Sequence, residues 1–338
     1  MSEMTESVSL IKIQAKLVEE YLSTVISAGV PYALVDFPAY KNVGDSAIWL
    51  GQIEILTKVV GFKPRYVCDQ FNYSEADLQK SHPEGPILIS GGGNFGDIWP
   101  EHQKFRERLI KTFPDRQIIQ LPQSISFGNP ENAERCAQLI ADHGRFTLLV
   151  RDKVSEAYAQ KHLRCEVRLL PDMAFGIGAL RPRGTVASDG FMLLRSDKER
   201  SGFDPAVLAA EPNARSADWL NEPADFPDIC RMKTRFNSWG RQGQTMESGR
   251  FNLYMHLAQG RLERGLKMLS SGRVLITDRL HAHILATLLD KPHVVLDNNY
   301  GKIFSYIAAW THPYRSLRTA ATAEEAIDRY RELLSKCR

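Results

Sequence analysis

Three short blocks hold most of the polar chemistry in this chain. Ile276-Thr277-Asp278-Arg279-Leu280-His281-Ala282-His283-Ile284 joins an apolar run to an apolar, helix-like stretch. Arg279 offers a fixed fork of donors for a phosphate or carboxylate. His281 can donate a hydrogen bond to an anion or exchange a proton near neutral pH. The His-x-His spacing superficially suggests a metal, but no third or fourth ligand accompanies it, and His283 reads as a packed core residue. The second block, Ser90-Gly91-Gly92-Gly93-Asn94-Phe95-Gly96-Asp97, puts four glycines in six positions. That is more than a turn requires, and the bare backbone around Gly92, Gly93 and Asn94 suits an anion nest. It is neither G-x-G-x-x-G nor G-x-x-x-x-G-K-[ST], so it carries no dinucleotide or nucleoside-triphosphate fingerprint. The third block, Asn42-Val43-Gly44-Asp45-Ser46, runs into a helix that Asp45 or Ser46 would cap. An open helix N-terminus favours an anion.

Lesser sites repeat the theme. Gln123 and Ser124 follow one apolar run, Arg151-Asp152 ends another, and Pro171-Asp172 brings a further carboxylate. Lys302, in Asp297-Asn298-Asn299-Tyr300-Gly301-Lys302, adds a cation to the second half. No nucleophile elbow, His-Glu-x-x-His or Asp-x-Asp pair in a glycosyltransferase setting is present.

These residues need elements to position them. Apolar runs at 32–37, 86–90, 117–121 and 147–151 read as buried strands, with helices starting near Ser46 and spanning 132–143. The glycine-containing stretch 178–190 reads as an interdomain link. Beyond it, 190–194, 273–277 and 293–296 read as strands, and 323–336 as a helix with Ala326, Ile327, Tyr330, Leu333 and Leu334 on one face. Alternation of this kind predicts an α/β fold with parallel sheets covered on both faces. The expected architecture is two doubly wound, Rossmann-like domains facing a cleft, 1–180 and 188–320, followed by a terminal helix in 321–338. Ligands bind beyond the carboxyl ends of strands in such sheets, where each polar block falls. Residues 200–250 are polar and match no element; they read as an excursion over a site or as a surface insertion.

Composition narrows the class. The 338 residues suit two domains, and 43% hydrophobic with 25% charged residues is ordinary globular usage. No run of 18 apolar residues occurs, which argues against a transmembrane helix, and the polar, acidic start is unlike a signal peptide. Cys68, Cys136, Cys165, Cys230 and Cys337 are scattered without a CxxC pair, as expected of a reduced, cytoplasmic protein without structural zinc. The net charge of +3 gives no reason to expect nucleic acid. Residues 1–180 hold 19 Lys+Arg against 22 Asp+Glu, and the remainder is basic. A basic second half suits an anionic ligand, as it also suits ordinary surface solvation.

Taken in order, NVGDSAI at 42–48, SGGGNFGD at 90–97, LPQSI at 121–125, RD at 151–152, PDMAF at 171–175, DRLHAHILA at 278–286 and LDNNYGK at 296–302 resemble the polysaccharide pyruvyl transferase family. The resemblance implies a fold similar to GT-B glycosyltransferases. It implies phosphoenolpyruvate as co-substrate, with no cofactor expected, and a pyruvate ketal installed on a sugar of an exopolysaccharide, capsule or cell-wall glycan. The family's donor-binding Arg-Leu-His triplet carries over to Arg279, Leu280 and His281, a further arginine to Arg151, and Arg195 in LLRSDKE is another anion ligand. A phosphate and a carboxylate together need two cationic or amide-rich subsites, which the residues above supply. In this scheme Arg279 and Arg151 clamp the anion, with Gly92 and Gly93 as a backbone wall. His281 is proton donor or phosphate ligand, and Asp45, Asp97 and Asp172 are candidate bases for the sugar hydroxyl. A lipid-linked acceptor would bring the protein to the inner membrane surface. The alternatives are a GT-B-type glycosyltransferase using a nucleotide sugar, and a non-catalytic anion- or glycan-binding protein.

Overall fold

The computed structural model describes residues 3–195, 205–209, 211–238, 246–297 and 301–337. Strands β1 (Ala33–Val35), β2 (Tyr66–Cys68), β3 (Ile87–Ile89), β4 (Gly92–Gly96), β5 (Ile118–Ser126), β6 (Phe146–Val150) and β7 (Glu166–Leu169) form the first sheet. Strands β8 (Ser188–Leu193), β9 (Ala214–Ser216), β10 (Gly272–Thr277), β11 (His293–Leu296) and β12 (Leu317–Ala320) form the second. All described pairings are parallel. The first sheet runs β2-β1-β3-β5-β6-β7, with β4 continuing beside β5, and the second runs β12-β11-β10-β8-β9. Each sheet therefore reverses direction once in its strand order, at β1/β3 and at β8/β10. A crevice opens outside the carboxyl ends at such a switch point. The chain thus has two Rossmann-like, GT-B-like units, each with its switch-point loops carrying polar residues.

The strands are short and apolar on both faces because helices cover both sides. Ala33, Leu34, Val35, Ile87, Leu88 and Ile89 are all fully buried. The structure bears out some expectations and refines others. The glycine block is not a loop: Gly92–Gly96 is extended and pairs with β5, with a register shift between Gly92 and Phe95. Only glycine fits there, since a Cβ on Gly96 would lie 1.8 Å from the Ser126 carbonyl oxygen. The helix expected near Ser46 spans Val43–Val60, and its cap is Asn42, whose side chain accepts from the Gly44 N–H. Stretch 178–190 is held by the second unit, Leu180 N–H donating to Leu288 and Ala187 N–H to Ser271. Within 200–250, β9 extends the second sheet and helix Phe226–Ser238 packs on helix Met246–Ser270. The terminal helix Ala323–Lys336 belongs to the second sheet's covering layer: Ala326, Tyr330 and Leu333 share a core with Val274, Ile276 and Val294.

One apolar core crosses between the units. It joins Leu34, Val43, Trp49 and Ile53 of the first to Tyr254, Leu257, Leu266, Leu285 and Leu288 of the second. Phe37 stacks on Tyr254 with ring centroids 3.9 Å apart, and Gly265 of the long helix lies directly against Val43. An interface this apolar fixes the two switch points relative to each other.

Helix Val43–Val60 sits at this junction, and Gly51 lets it approach Met173, where an added Cβ would meet a backbone carbonyl oxygen at 1.9 Å. No side-chain rotation relieves that contact. Gly51→Ala is expected to destabilise the protein by at least about 1–3 kcal/mol, read as a lowered urea midpoint with unchanged slope.

Candidate active site

The first unit contributes a buried arginine at the end of β6. Arg151 is 4% exposed and donates from Nη1 to Asp172 Oδ2 at 2.6 Å and from Nε to Ser124 Oγ at 2.9 Å. Ser124 in turn donates to Asp152 Oδ2 at 2.6 Å, and Asp152 caps the next helix by accepting from Ser155 N–H. The Arg151 carbonyl accepts from Trp310 Nε1 at 2.8 Å, and the Asp172 N–H donates to Tyr306 Oη at 3.3 Å. Both aromatic residues belong to the second unit, so it braces the arginine from behind.

His281 meets this arginine from the second unit, at the start of helix Leu280–Leu288. Its Nε2 lies 3.1 Å from Arg151 Nη1 and 3.5 Å from Asp172 Oδ2. Guanidinium has only donors and carboxylate only acceptors, so Nε2 stands where it accepts from Arg151 when it lacks a proton and donates to Asp172 when it carries one. Burial alone would push the Asp172 carboxyl up. The His281 hydrogen bond, the Arg151 and His281 charges and the Ala174 N–H outweigh it and hold Asp172 well below the ordinary carboxylate range. Asp172 is thus a permanent counter-ion, unsuited to accept a proton. His281 packs on Gly44, where a Cβ would lie 2.4 Å from the imidazole.

Glycines floor the space beside Arg151. A Cβ on Gly93 would come 3.1 Å from Arg151 Nη2, and one on Gly92 would come 3.5 Å from Asp45 Oδ1. Gly92, at φ +142°, takes a backbone conformation closed to most side chains. This strip of bare backbone runs from the arginine to Asp45. Gln123 and Asn94 pin it, Asn94 N–H donating to Gln123 Oε1 at 3.1 Å and Gln123 Nε2 to Asn94 Oδ1 at 2.8 Å.

On the Asp45 side lies a pair that sequence reasoning missed. Asp36 follows β1 directly at the switch point and has φ +67°, a strained backbone for a non-glycine residue. Its carboxylate holds His102 Nδ1 at 2.8 Å, and Asn94 Nδ2 donates to it at 3.5 Å. A carboxylate on Nδ1 orients an imidazole and leaves Nε2 to exchange protons. Asp36 lay inside a run read as strand, and His102 sits in a polar helix without a motif, so only the fold brings them together. Arg106, also missed, is a fully buried cation that braces Asn94 at 2.9 Å and stacks on Phe95; burial pulls it down to about 10.

The other expected residues fall elsewhere. Arg279 caps no N–H with its side chain; its Nη2 donates to Asp218 at 3.0 and 3.1 Å and its guanidinium lies over Trp219. It and His281 lie two residues apart, yet the described contacts of Arg279 run to Asp218, Trp219 and Leu194, whereas those of His281 run to Arg151 and Asp172. Leu280 is buried in the first turn of the helix. Arg195 N–H donates to Asp278 Oδ1 at 2.7 Å at the second switch point. Burial pushes Asp278 up to about 6 against the opposing pull of that N–H and the nearby arginines. Lys302 is buried one turn from Tyr306 in helix Lys302–Tyr306, while Asn298, Asn299 and Tyr300 lie outside the described residues. Asp97 accepts from Gly128, Asn129 and Asn132, which makes it a turn anchor rather than a member of the cluster. His283 is buried between His293 at 2.7 Å and Thr311 at 2.8 Å, as a core residue. Among the described residues no three His, Cys, Asp or Glu side chains converge as metal ligands, and no helix is long and apolar enough to cross a membrane.

Residues 42–300, spanning both switch points and the Arg151–His281 contact, match the family model for polysaccharide pyruvyl transferase. The chain belongs to the polysaccharide pyruvyl transferase family. It is 31% identical over 313 residues to "Putative pyruvyl transferase EpsO" of Bacillus subtilis, covering 92% of this chain and 94% of that one. It is 32% identical over 325 residues to pyruvyl transferase 1 of Schizosaccharomyces pombe, covering 90% and 75%. A crystal structure of an uncharacterised Klebsiella pneumoniae protein shares the fold at TM-score 0.58 and 16% identity, over 90% of this chain and 97% of that one. This member of the polysaccharide pyruvyl transferase family thus builds its polar cluster from both of its domains.

Asp172→Asn would leave Arg151 as a buried cation without its counter-ion. The expected cost is about 3–5 kcal/mol, read from urea midpoints at pH 7. Because the folded pKa of Asp172 is depressed, its contribution is complete above the ordinary carboxyl pKa of about 4 and is lost as pH falls towards the folded value. The acid decline in stability should therefore be shallower in Asp172→Asn than in the wild-type protein.

Proposed function

We propose that this protein transfers the pyruvyl group of phosphoenolpyruvate to two hydroxyls of one sugar, making a cyclic ketal and releasing phosphate. The observation that carries this reading is the Arg151–His281 contact of 3.1 Å between the domains, beside a backbone strip that ends at Asp45. A cation and an imidazole on one side and acid–base groups on the other match what the reaction needs.

Atoms balance as follows. C3 of the enol takes a proton, and a sugar hydroxyl attacks C2 while losing its own. The C2–O bond to phosphate then breaks, and a second hydroxyl closes the ring on C2. Of the two hydroxyl protons, one ends on C3 and the other on phosphate. Arg151 holds the donor's anionic groups, with Arg279, Arg195 and Lys302 as further cations of the second domain. Ligand oxygens that take the Arg151 N–H free His281 Nε2, which then carries the proton that C3 receives. Gly92 and Gly93 let the planar donor lie against backbone. The Asp36–His102 pair, with Asp45 beside it, receives the proton of the attacking hydroxyl. Gln123, Ser124 and Asn94 hold these groups in place.

The deciding experiment incubates the protein with phosphoenolpyruvate and a panel of p-nitrophenyl galactosides, glucosides and mannosides. Mass spectrometry should find a sugar heavier by one pyruvate less one water, with phosphate released in equal amount. Consumption of UDP-sugars in a parallel arm, with phosphoenolpyruvate untouched, would instead support glycosyl transfer. His281→Gln is expected to keep phosphoenolpyruvate binding by calorimetry while turnover falls about 10²–10⁴-fold, the reach of general acid–base catalysis. His102→Gln should show the same split. Near-normal turnover in His102→Gln would move the base to Asp45. Arg151→Lys keeps the charge but loses the fork that spans Asp172, Ser124 and His281, so donor binding should weaken sharply.

A further inference from the structure

Glu222 is a buried carboxylate that the reaction does not use. It is 8% exposed and accepts from Arg261 Nε at 2.8 Å, Arg261 Nη2 at 3.2 Å and Arg264 Nη1 at 2.8 Å. Both arginines project from helix Met246–Ser270 in the second domain. Their remaining donors reach the first domain: Arg261 Nη1 to the Pro38 carbonyl at 3.1 Å and Arg264 Nη2 to the Lys41 carbonyl at 3.1 Å. Arg264 Nη2 also holds the Trp219 carbonyl at 2.8 Å.

Pro38 and Lys41 bracket Tyr40. Tyr40 is 37% exposed as a residue, and its ring stands edge-on to His102, with centroids 5.8 Å apart. Its phenol is flanked by Asp45, Asp36 and Arg261. A partly exposed tyrosine beside a proton-accepting pair is the kind of wall on which the apolar C–H face of a sugar packs. The buried Arg261 and the half-buried Arg264 need a counter-charge to stay in place, and Glu222 supplies it. Without it, the arginines have no reason to keep their outer donors on the two carbonyls.

We infer that Glu222 is a positioning residue for the sugar acceptor: through Arg261 and Arg264 it fixes, from the second domain, the loop that presents Tyr40 beside His102. The ligand is a pyranose with one apolar face and two free hydroxyls. This use of the loop rests on the pyruvyl transfer proposed above, whereas the hold of Glu222 on the loop does not.

The test compares Glu222→Gln with the wild-type protein by amide hydrogen exchange and by initial rates. Exchange of the amides of residues 39–42 should quicken about tenfold or more, with the strands of both sheets unchanged. With the sugar found in the glycoside panel, the acceptor KM should rise about tenfold while the phosphoenolpyruvate KM stays within about twofold. Tyr40→Ala should reproduce the acceptor effect, and Tyr40→Phe, which keeps the ring, should restore it. Should Glu222→Gln not fold, Arg264→Lys keeps the charge and removes the Lys41 and Trp219 bonds, and the same local pattern is expected. Unchanged exchange at residues 39–42, exchange that quickens throughout, or an equal rise in both KM values would overturn the inference. If no glycoside is pyruvylated, the proposed function fails, and a local rise in exchange would still establish the hold on the loop while its absence would refute it.

Discussion

The placement of one buried cation organises this molecule. Arg151 leaves the first sheet at the end of a central strand and is almost without water. A lone guanidinium there would be costly, so the fold surrounds it: Asp172 supplies charge, Ser124 an oxygen, and His281 a nitrogen from the other domain. Each partner needs its own support. Ser124 leans on Asp152, Asp172 on the Ala174 N–H and Tyr306, and His281 on the absence of a side chain at Gly44. The domains are therefore joined twice, by an apolar core that resists separation and by a polar contact whose geometry that core sets.

That arrangement explains why glycine recurs in this family member where no turn needs it. Gly44 makes room for an imidazole, Gly51 for a backbone carbonyl, and Gly92 and Gly93 leave the floor between Asp45 and Arg151 free of side chains. The strip is also a strand, because β5 is long enough to pair first with β3 and then with β4. Backbone amides tied to a neighbouring strand are less free to cradle an anion than those of a loop. The glycines act more by the volume they leave than by the N–H groups they present.

Much of the fold was legible in the sequence, since buried parallel strands are continuous apolar runs and helices carry a 3.6-residue period. Strands β2, β7, β9 and β12 were not, being short and at the sheet edges, and β4 was not because three of its five residues are glycine. The site divided along the same line. Residues following an easily read strand, such as Arg151, Gln123 and the Arg279–His281 block, could be singled out. Asp36 was hidden because it lies inside the apolar run 32–37 that reads as strand throughout, and its left-handed backbone is a tertiary property. His102, Glu222 and Arg261 lie on elements whose local sequence is ordinary, and their meaning arises only from what the fold sets opposite them.

The balance of charge gives the last step. At rest several cations of the site are already paired: Arg151 with Asp172, Arg279 with Asp218, and the Arg261–Arg264 pair in part with Glu222. Against paired cations an incoming phosphate and carboxylate gain less Coulombic attraction than against unpaired ones. The gain from binding then comes from donors that change partner. Arg151 Nη1 faces both Asp172 Oδ2 at 2.6 Å and His281 Nε2 at 3.1 Å, so a ligand oxygen that takes its N–H lands between the buried cation and the imidazole. On the proposed reading the domain boundary supplies both halves of that exchange: the first domain's arginine holds the anion, and the second domain's histidine, released from the arginine, faces C3.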